Sequence, residues 1–218
     1  MATGQTLKRD YLGTVRLESK DGEQVVTLTV EGVGAGRGSI ALRLLRAEAA
    51  ARARLGGEPG VPRLLAVERN GLVRSFLSGK VMFVARPQTC AYFRSALRLV
   101  RRMHRRGVVH NDLAKEANWL CLDDGSAGIV DFQIAVVSSA RGKVFRLLAR
   151  EDLRHFYKHK QHYVPSALTA RQRRLLATPS FGARAWTMLA KPVYRAFTRG
   201  VLGWRERRGP EEREHLYD

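Results

Sequence analysis

Acidic side chains are scarce in this chain: 20 Asp and Glu stand against 39 Lys and Arg, and the formal charge of the 218 residues is +19. A field of that sign attracts polyanions, namely RNA, DNA, anionic lipid or phosphorylated glycan, without naming which. Cysteine is almost absent. Cys90 and Cys121 have no close Cys partner, which excludes a disulfide framework and a Cys-based zinc ribbon as organising features. A reducing cytoplasm is the compartment expected for such a chain. No apolar run approaches the roughly 18 residues of a membrane span. Met1 to Asp10 holds no apolar signal region, so secretion is not expected. There is no internal repeat. With 44% hydrophobic and 27% charged residues, general disorder is excluded and a packed core is within reach. The length suits one domain, or two small lobes sharing a cleft.

The positive charge is uneven. Between Arg141 and Arg208 there are 17 basic and 3 acidic residues, a net +14, while the rest of the chain carries 22 basic and 17 acidic residues. The C-terminal third is therefore the polycation, and the remainder has the balance of an ordinary domain.

Residues 6 to 30 read as β structure, with Lys20-Asp21-Gly22-Glu23 as a hairpin signal. Gly32, Gly34, Gly36 and Gly38 read as a flexible connector between lobes, because they do not complete a phosphate-cradling pattern. A helix is expected over Ile40 to Leu55, ended by Gly56 and Gly57. Val61 to Val67 and Leu72 to Leu77 read as strands around Arg69-Asn70-Gly71, and Ser78-Gly79-Lys80 as a break. A second helix is expected over Tyr92 to Arg106, ended by Gly107. Two short strands follow near Trp119 to Leu122 and Gly128 to Val130, joined by Asp123-Asp124-Gly125. Val144 to His162 reads as a helix broken by Pro165, with Thr169 capping another. Strands, one helix, strands and then mostly helix predict an α+β fold.

The chemistry concentrates in His110-Asn111-Asp112-Leu113-Ala114-Lys115-Glu116-Ala117-Asn118 and, after a tight hairpin, in Val130-Asp131-Phe132-Gln133. Phosphoryl transfer from ATP needs a carboxylate beside the attacking hydroxyl, and oxygen ligands that hold Mg²⁺ against the phosphates. In this reading Asp112 orients or deprotonates the acceptor hydroxyl, and Asn118 and Asp131 hold the metal. Two protein ligands suffice, since Mg²⁺ takes the rest from phosphate and water.

This stretch resembles the protein-kinase-like superfamily. His110-Asn111-Asp112 stands where the family has His-Arg-Asp, and Asp131-Phe132-Gln133 where it has Asp-Phe-Gly. Met103 to Val109 looks like the end of the helix leading into the catalytic loop. Within the superfamily the likeness is to small atypical kinases of the RIO type and to bacterial lipopolysaccharide-core (Kdo/heptose) sugar kinases. It is concentrated in residues 95 to 135 and thinner over residues 7 to 90. The resemblance implies a two-lobed minimal kinase-like fold: a nucleotide-binding lobe over 1–78, a catalytic lobe over 79–168 and a basic helical extension over 169–218. It also implies ATP and Mg²⁺ as cofactors. Lys115 falls one position later than the family's loop lysine and is expected to contact the transferred phosphate. Asp112 to Asn118 spans six positions, one more than usual, so a bulge at Glu116-Ala117 is expected. Asn111 in place of arginine argues against control by an activation-loop phosphate.

The nucleotide lobe keeps less of the family pattern. Residues 7 to 15 fit a Gly-rich strand-turn-strand of which Gly13 and Val15 survive. Glu48 suits the helix glutamate that pairs with a strand lysine, but Thr27 and Thr29 stand where that lysine is sought, leaving Lys8 or Arg9 to supply the charge. The bland reading of Glu48 is a surface residue among Arg43, Arg46 and Arg52. Phe76 and Leu77 would form the hinge beside adenine. His155, His159 and His162 share a helical face, and with Lys158 and Lys160 alongside they read as a basic surface patch rather than a metal site. An apolar stripe from Trp186 to Trp204 either docks on the helical lobe, the preferred reading, or lies on an anionic membrane.

The leading expectation is a RIO-like serine/threonine protein kinase. A lipopolysaccharide-core sugar kinase acting on a phosphorylated glycan at the inner membrane is the second. A pseudokinase binding module, motivated by the missing lysine, and an RNA- or ribosome-associated protein using the basic tail are the others. The expected location is cytoplasmic, with peripheral attachment to the inner membrane under the second reading.

Overall fold

The computed structural model describes residues 5–10, 13–20, 22–30 and 35–178. The stripe from Trp186 to Trp204 lies outside the described residues, as does most of the basic extension. The fold is α+β with antiparallel sheets.

Strands β1 (Gln5–Asp10), β2 (Gly13–Lys20) and β3 (Glu23–Thr29) form a meander. Lys20 pairs with Glu23, so the loop between them has two residues and Gly22 takes a φ of 82°, as a tight hairpin requires. Helix α1 (Ala35–Leu55) follows. It begins earlier than the sequence suggests: Gly36 and Gly38 belong to its first turns, not to a connector. Strands β4 (Leu64–Glu68) and β5 (Gly71–Ser75) complete a five-stranded sheet of order β1-β2-β3-β5-β4. Val26, Leu28 and Leu72 from this sheet pack with Leu45 and Ala49 of α1 in a small core.

The segment expected to be a break is strand β6 (Gly79–Val81). Gly79 is required there, because a Cβ would stand 2.4 Å from the Cys121 carbonyl oxygen. A single helical turn, α2 (Met82–Ala85), and the long helix α3 (Cys90–Arg105) come next. The Thr89 hydroxyl accepts from the Tyr92 amide and caps α3. Its residues Tyr92, Phe93, Ala96, Leu99, Val100 and Met103 are all buried, a spacing that puts one helix face into the core. Strands β7 (Val108–Val109), β8 (Trp119–Leu122), β9 (Ala127–Ile129) and β10 (Val136–Val137) form two small sheets, β10-β7 and β6-β8-β9. Helix α4 (Lys143–Tyr163) packs on α3, and α5 (Ala170–Ala177) is capped by Thr169 as expected, in a capping box completed by Gln172. Leu175 and Leu176 of α5 touch the larger core, whose centre is Phe93, Met103, Trp119, Ile129, Phe132 and Phe156. The end of α1 joins this second core through Ala51 and Leu55, so α1 spans both. No helix among the described residues is long and apolar enough to cross a membrane.

Candidate active site

The loop after β7 is held from below by one carboxylate. Asp152 of α4 is buried, and three donors reach it. Its Oδ2 accepts from the His110 amide at 2.8 Å and from His104 Nε2–H at 3.0 Å, and its Oδ1 accepts from the Asn111 amide at 2.9 Å. A buried carboxylate with every bond filled is a fixed anchor rather than a reactive group. Asn111 takes a left-handed φ of 66°, which Asn tolerates better than most residues. That turn delivers Asp112 to the rim of the molecule.

His110 links this loop to the next. It is fully buried. Its Nδ1 accepts from the Asp112 amide at 3.3 Å, so its Nε2–H is the donor to the Val130 carbonyl at 2.9 Å. Its ring lies 4.7 Å from that of Phe132. Val130 donates its amide to the Asn118 carbonyl at 3.0 Å, extending the β8–β9 ladder by one rung. Asp131, the next residue, takes a left-handed φ of 66°. Such backbone conformations cluster where a side chain must be aimed.

Asp112 and Asn118 meet directly. Asn118 Nδ2 donates to the Asp112 carbonyl at 3.0 Å and to its Oδ2 at 3.1 Å. Lys115 Nζ also donates to Oδ2, at 2.6 Å. Among the described residues no donor reaches Asp112 Oδ1, and none reaches the half-buried Asp131 carboxylate. A 3₁₀ turn covers Glu116–Asn118. The turn is fixed from α4: the Tyr163 hydroxyl donates to Glu116 Oε2 at 2.8 Å, and His159 Nε2–H donates to the Leu113 carbonyl at 2.8 Å. Burial holds the His159 imidazolium pKa below the usual histidine range, against the opposing pull of Leu113 and Glu116. Burial, with Glu116 beside it, pushes the Tyr163 phenol well above its ordinary value. The surface-patch expectation holds for His162, which is exposed, and is corrected for the other two histidines. His159 is buried and bonded, and His155 is partly buried with its pKa lowered mainly by burial. Among the described residues no group of three His, Cys, Asp or Glu is arranged to hold a metal.

The sheet end presents a different picture. Gly13 has a φ of 141°, and a Cβ there would meet the Thr29 carbonyl oxygen at 2.1 Å. Gly13, Val15, Thr29, Ala41 and Leu44 line a cavity of about 40 Å³ that Gln133 also reaches. The expected Gly-rich remnant and the Asp131-Phe132-Gln133 loop thus share one wall. The Lys8 side chain lies outside the described residues. The amide of Phe76 donates to the Gln24 carbonyl and its ring rests on the small core, with Leu77 following it half-buried.

Glu48 departs from both expectations. It is not on the surface, being buried, and its partner among the described residues is not a strand lysine. Arg52, one turn on and equally buried, donates to Glu48 Oε1 from Nε at 3.1 Å and from Nη2 at 2.6 Å. Arg52 Nη1 donates to the Pro62 carbonyl at 3.0 Å, and its guanidinium lies 5.1 Å from the Phe132 ring centroid. Glu48 Oε2 is buried without a hydrogen-bond partner. Thr27 donates to Glu18 at 2.9 Å instead of facing Glu48. A continuous line of contacts therefore runs from Glu48 through Arg52, Phe132 and His110 to Asp152. Sequence reasoning missed Arg52 and Asp152. The signal for Asp152 was its position seven residues after Phe145 and four before Phe156, on the apolar face of a basic helix.

No protein-family model matches this chain, and no curated protein matches it.

Proposed function

We propose that this chain is an ATP- and Mg²⁺-dependent phosphotransferase with a two-lobed, kinase-like arrangement, acting on a serine or threonine hydroxyl of a protein. The observation that carries the reading is the Asp112–Asn118 hydrogen bond, in a loop fixed to Asp152 and tied through His110 and Val130 to Asp131. In this reading Asp112 Oδ1, free of donors among the described residues, receives the acceptor hydroxyl and its proton. A positioned base of this kind contributes about 10²–10⁴-fold. Lys115 and Asn118 hold the other oxygen of the same carboxylate, so its orientation is set before substrate arrives. Asn118 Oδ1 and the Asp131 carboxylate are hard oxygen donors with no hydrogen bond among the described residues, a set that fits Mg²⁺. When bound, Mg²⁺ offsets the charge of the phosphates during transfer. Lys115, bonded to Oδ2 of the same carboxylate, is in this reading the group that would meet the transferred phosphate.

The test is ATP turnover by the full chain with and without Mg²⁺. Mg²⁺-dependent turnover that disappears in Asp131→Ala supports the reading. Turnover unchanged in that variant rejects it.

One observation favours a second reading. Glu48 is neutralised by Arg52 of its own helix and β3 offers threonines, so among the described residues no strand lysine pairs with Glu48. A pseudokinase module would show no turnover in the wild type under any metal.

A further inference from the structure

Several arginines around the large core have an acidic partner. Arg102 and Arg106 share the buried Glu58, Arg52 holds Glu48, and Arg154 faces Glu151. Four arginines of α3 do not. Arg94, Arg98, Arg101 and Arg105 are all exposed, and among the described residues none has an ion pair. Their spacing of four, three and four residues places them within about 60° of one another around the helix and along roughly 16 Å of its length. No acidic residue occurs anywhere in α3. Arg141, also exposed, extends the row at its C-terminal end by donating from Nη1 to the Arg105 carbonyl at 3.4 Å. The acidic groups bonded to α3 and its C-cap are already engaged: Glu58 is shared by Arg102 and Arg106, and Asp152 takes His104 and the loop amides.

We propose that this row is a docking rail for the phosphodiester backbone of a nucleic-acid strand. Three features select that partner. The row is linear and narrow, as a strand is, whereas a membrane presents a plane. The apolar face of α3 is spent on the core and no large apolar side chain is exposed on the helix, so nothing is offered to a bilayer interior or as the anchor of a protein interface. All four residues are arginine, whose planar fork binds phosphate oxygens in pairs. The contacts are to backbone phosphates, so the rail positions a strand without reading its sequence. This inference does not depend on phosphotransfer, and the rail is distinct from the basic tail.

The experiment uses the full chain and a labelled single strand of about twelve nucleotides, as RNA and as DNA, a length within the usual footprint for such binding. Binding is measured from 50 to 200 mM salt. Four phosphate contacts correspond to a loss of about 50-fold over that range. The variant with Arg94, Arg98, Arg101 and Arg105 all changed to Gln should lack that share of the salt dependence and bind more weakly at low salt by at least tenfold. The same drop is expected when Arg195, Arg199, Arg205 and Arg207 are first changed to Gln, which separates the rail from the tail. Changing the four α3 residues to Lys should retain the salt dependence. Nucleic-acid binding unaltered by the Gln substitutions overturns the proposal. So does a loss seen only with phosphatidylserine vesicles, which would assign the row to a lipid surface.

Discussion

Asp152 and Glu48 are both carboxylates sealed from solvent, and they are satisfied very differently. Asp152 receives three donors on two oxygens and fastens the loop that carries Asp112. Glu48 receives both of its bonds on one oxygen, from a single arginine, and leaves the other unfilled. The loop that carries Asp112 is thus fastened by a carboxylate bonded on both oxygens, although Arg154 Nε of the same helix α4 is buried without a hydrogen-bond partner. The sheet region meets the helical region through α1 and one half-satisfied ion pair. Satisfied buried networks rigidify what they hold, so the loop fastened to Asp152 should be more rigid than the α1 junction.

The contrast can be broken most sharply at Asp112. Replacing it with Ala should lower phosphotransfer by about 10²–10⁴-fold while leaving the unfolding midpoint in place, as measured by turnover beside a denaturant titration. Arg52→Ala should do the reverse. It strands Glu48 without a counter-charge and should cost about 3–5 kcal/mol of stability. The double variant Glu48→Leu/Arg52→Met should recover most of that loss, because replacing a whole buried pair with apolar residues is close to neutral. Failure to recover would mean that the pair does more than neutralise itself. Asp152→Ala should cost about 1–3 kcal/mol for each amide it leaves unpaired, and it should also reduce turnover, because Asn111 loses its anchor. Equal effects of Asp152→Ala and Arg52→Ala on turnover per unit of stability lost would erase the distinction drawn between the two regions. Gly13→Ala should destabilise by about 1–3 kcal/mol, with increased hydrogen exchange confined to β1–β3.

The smallest effect concerns pH. The folded-state pKa of His159 is lowered, mainly by burial. Its contribution is fully present above the unfolded pKa of about 6.5 and is lost as pH falls through the lower folded value. Melting temperatures taken from pH 7.5 downward should therefore decline below about pH 6.5. His159→Gln, which can still donate to the Leu113 carbonyl, should flatten that decline.

The parts of the fold legible in the sequence were those with a long pattern. Helix α3 announces itself through the run to Arg106 and the Gly107 stop, while its start at Cys90, capped by Thr89, lies two residues before the expected one. The hairpins at Gly22 and Asn70-Gly71 follow from their turn residues. Strands β7 and β10 are two residues long and carry no pattern to read. Strand β6 was hidden because Gly79, which looks like a breaker, is there to let two strands approach. At the candidate site, the meeting of Asp112 with Asn118 was legible because both lie in one short loop. Asp152 and Arg52 were not, since each serves a residue far away in sequence and looks like one more charge in a basic helix. Glu48 shows the same limit: its helix position was legible, but its partner depended on which face of α1 turned inward.

The most direct test of the central claim is transfer of labelled γ-phosphate from ATP into host-lysate protein, comparing the wild-type chain with Asp112→Ala at matched folded concentration. The account predicts Mg²⁺-dependent labelling of protein by the wild type and none above background by the variant. Equal labelling by the two would contradict it.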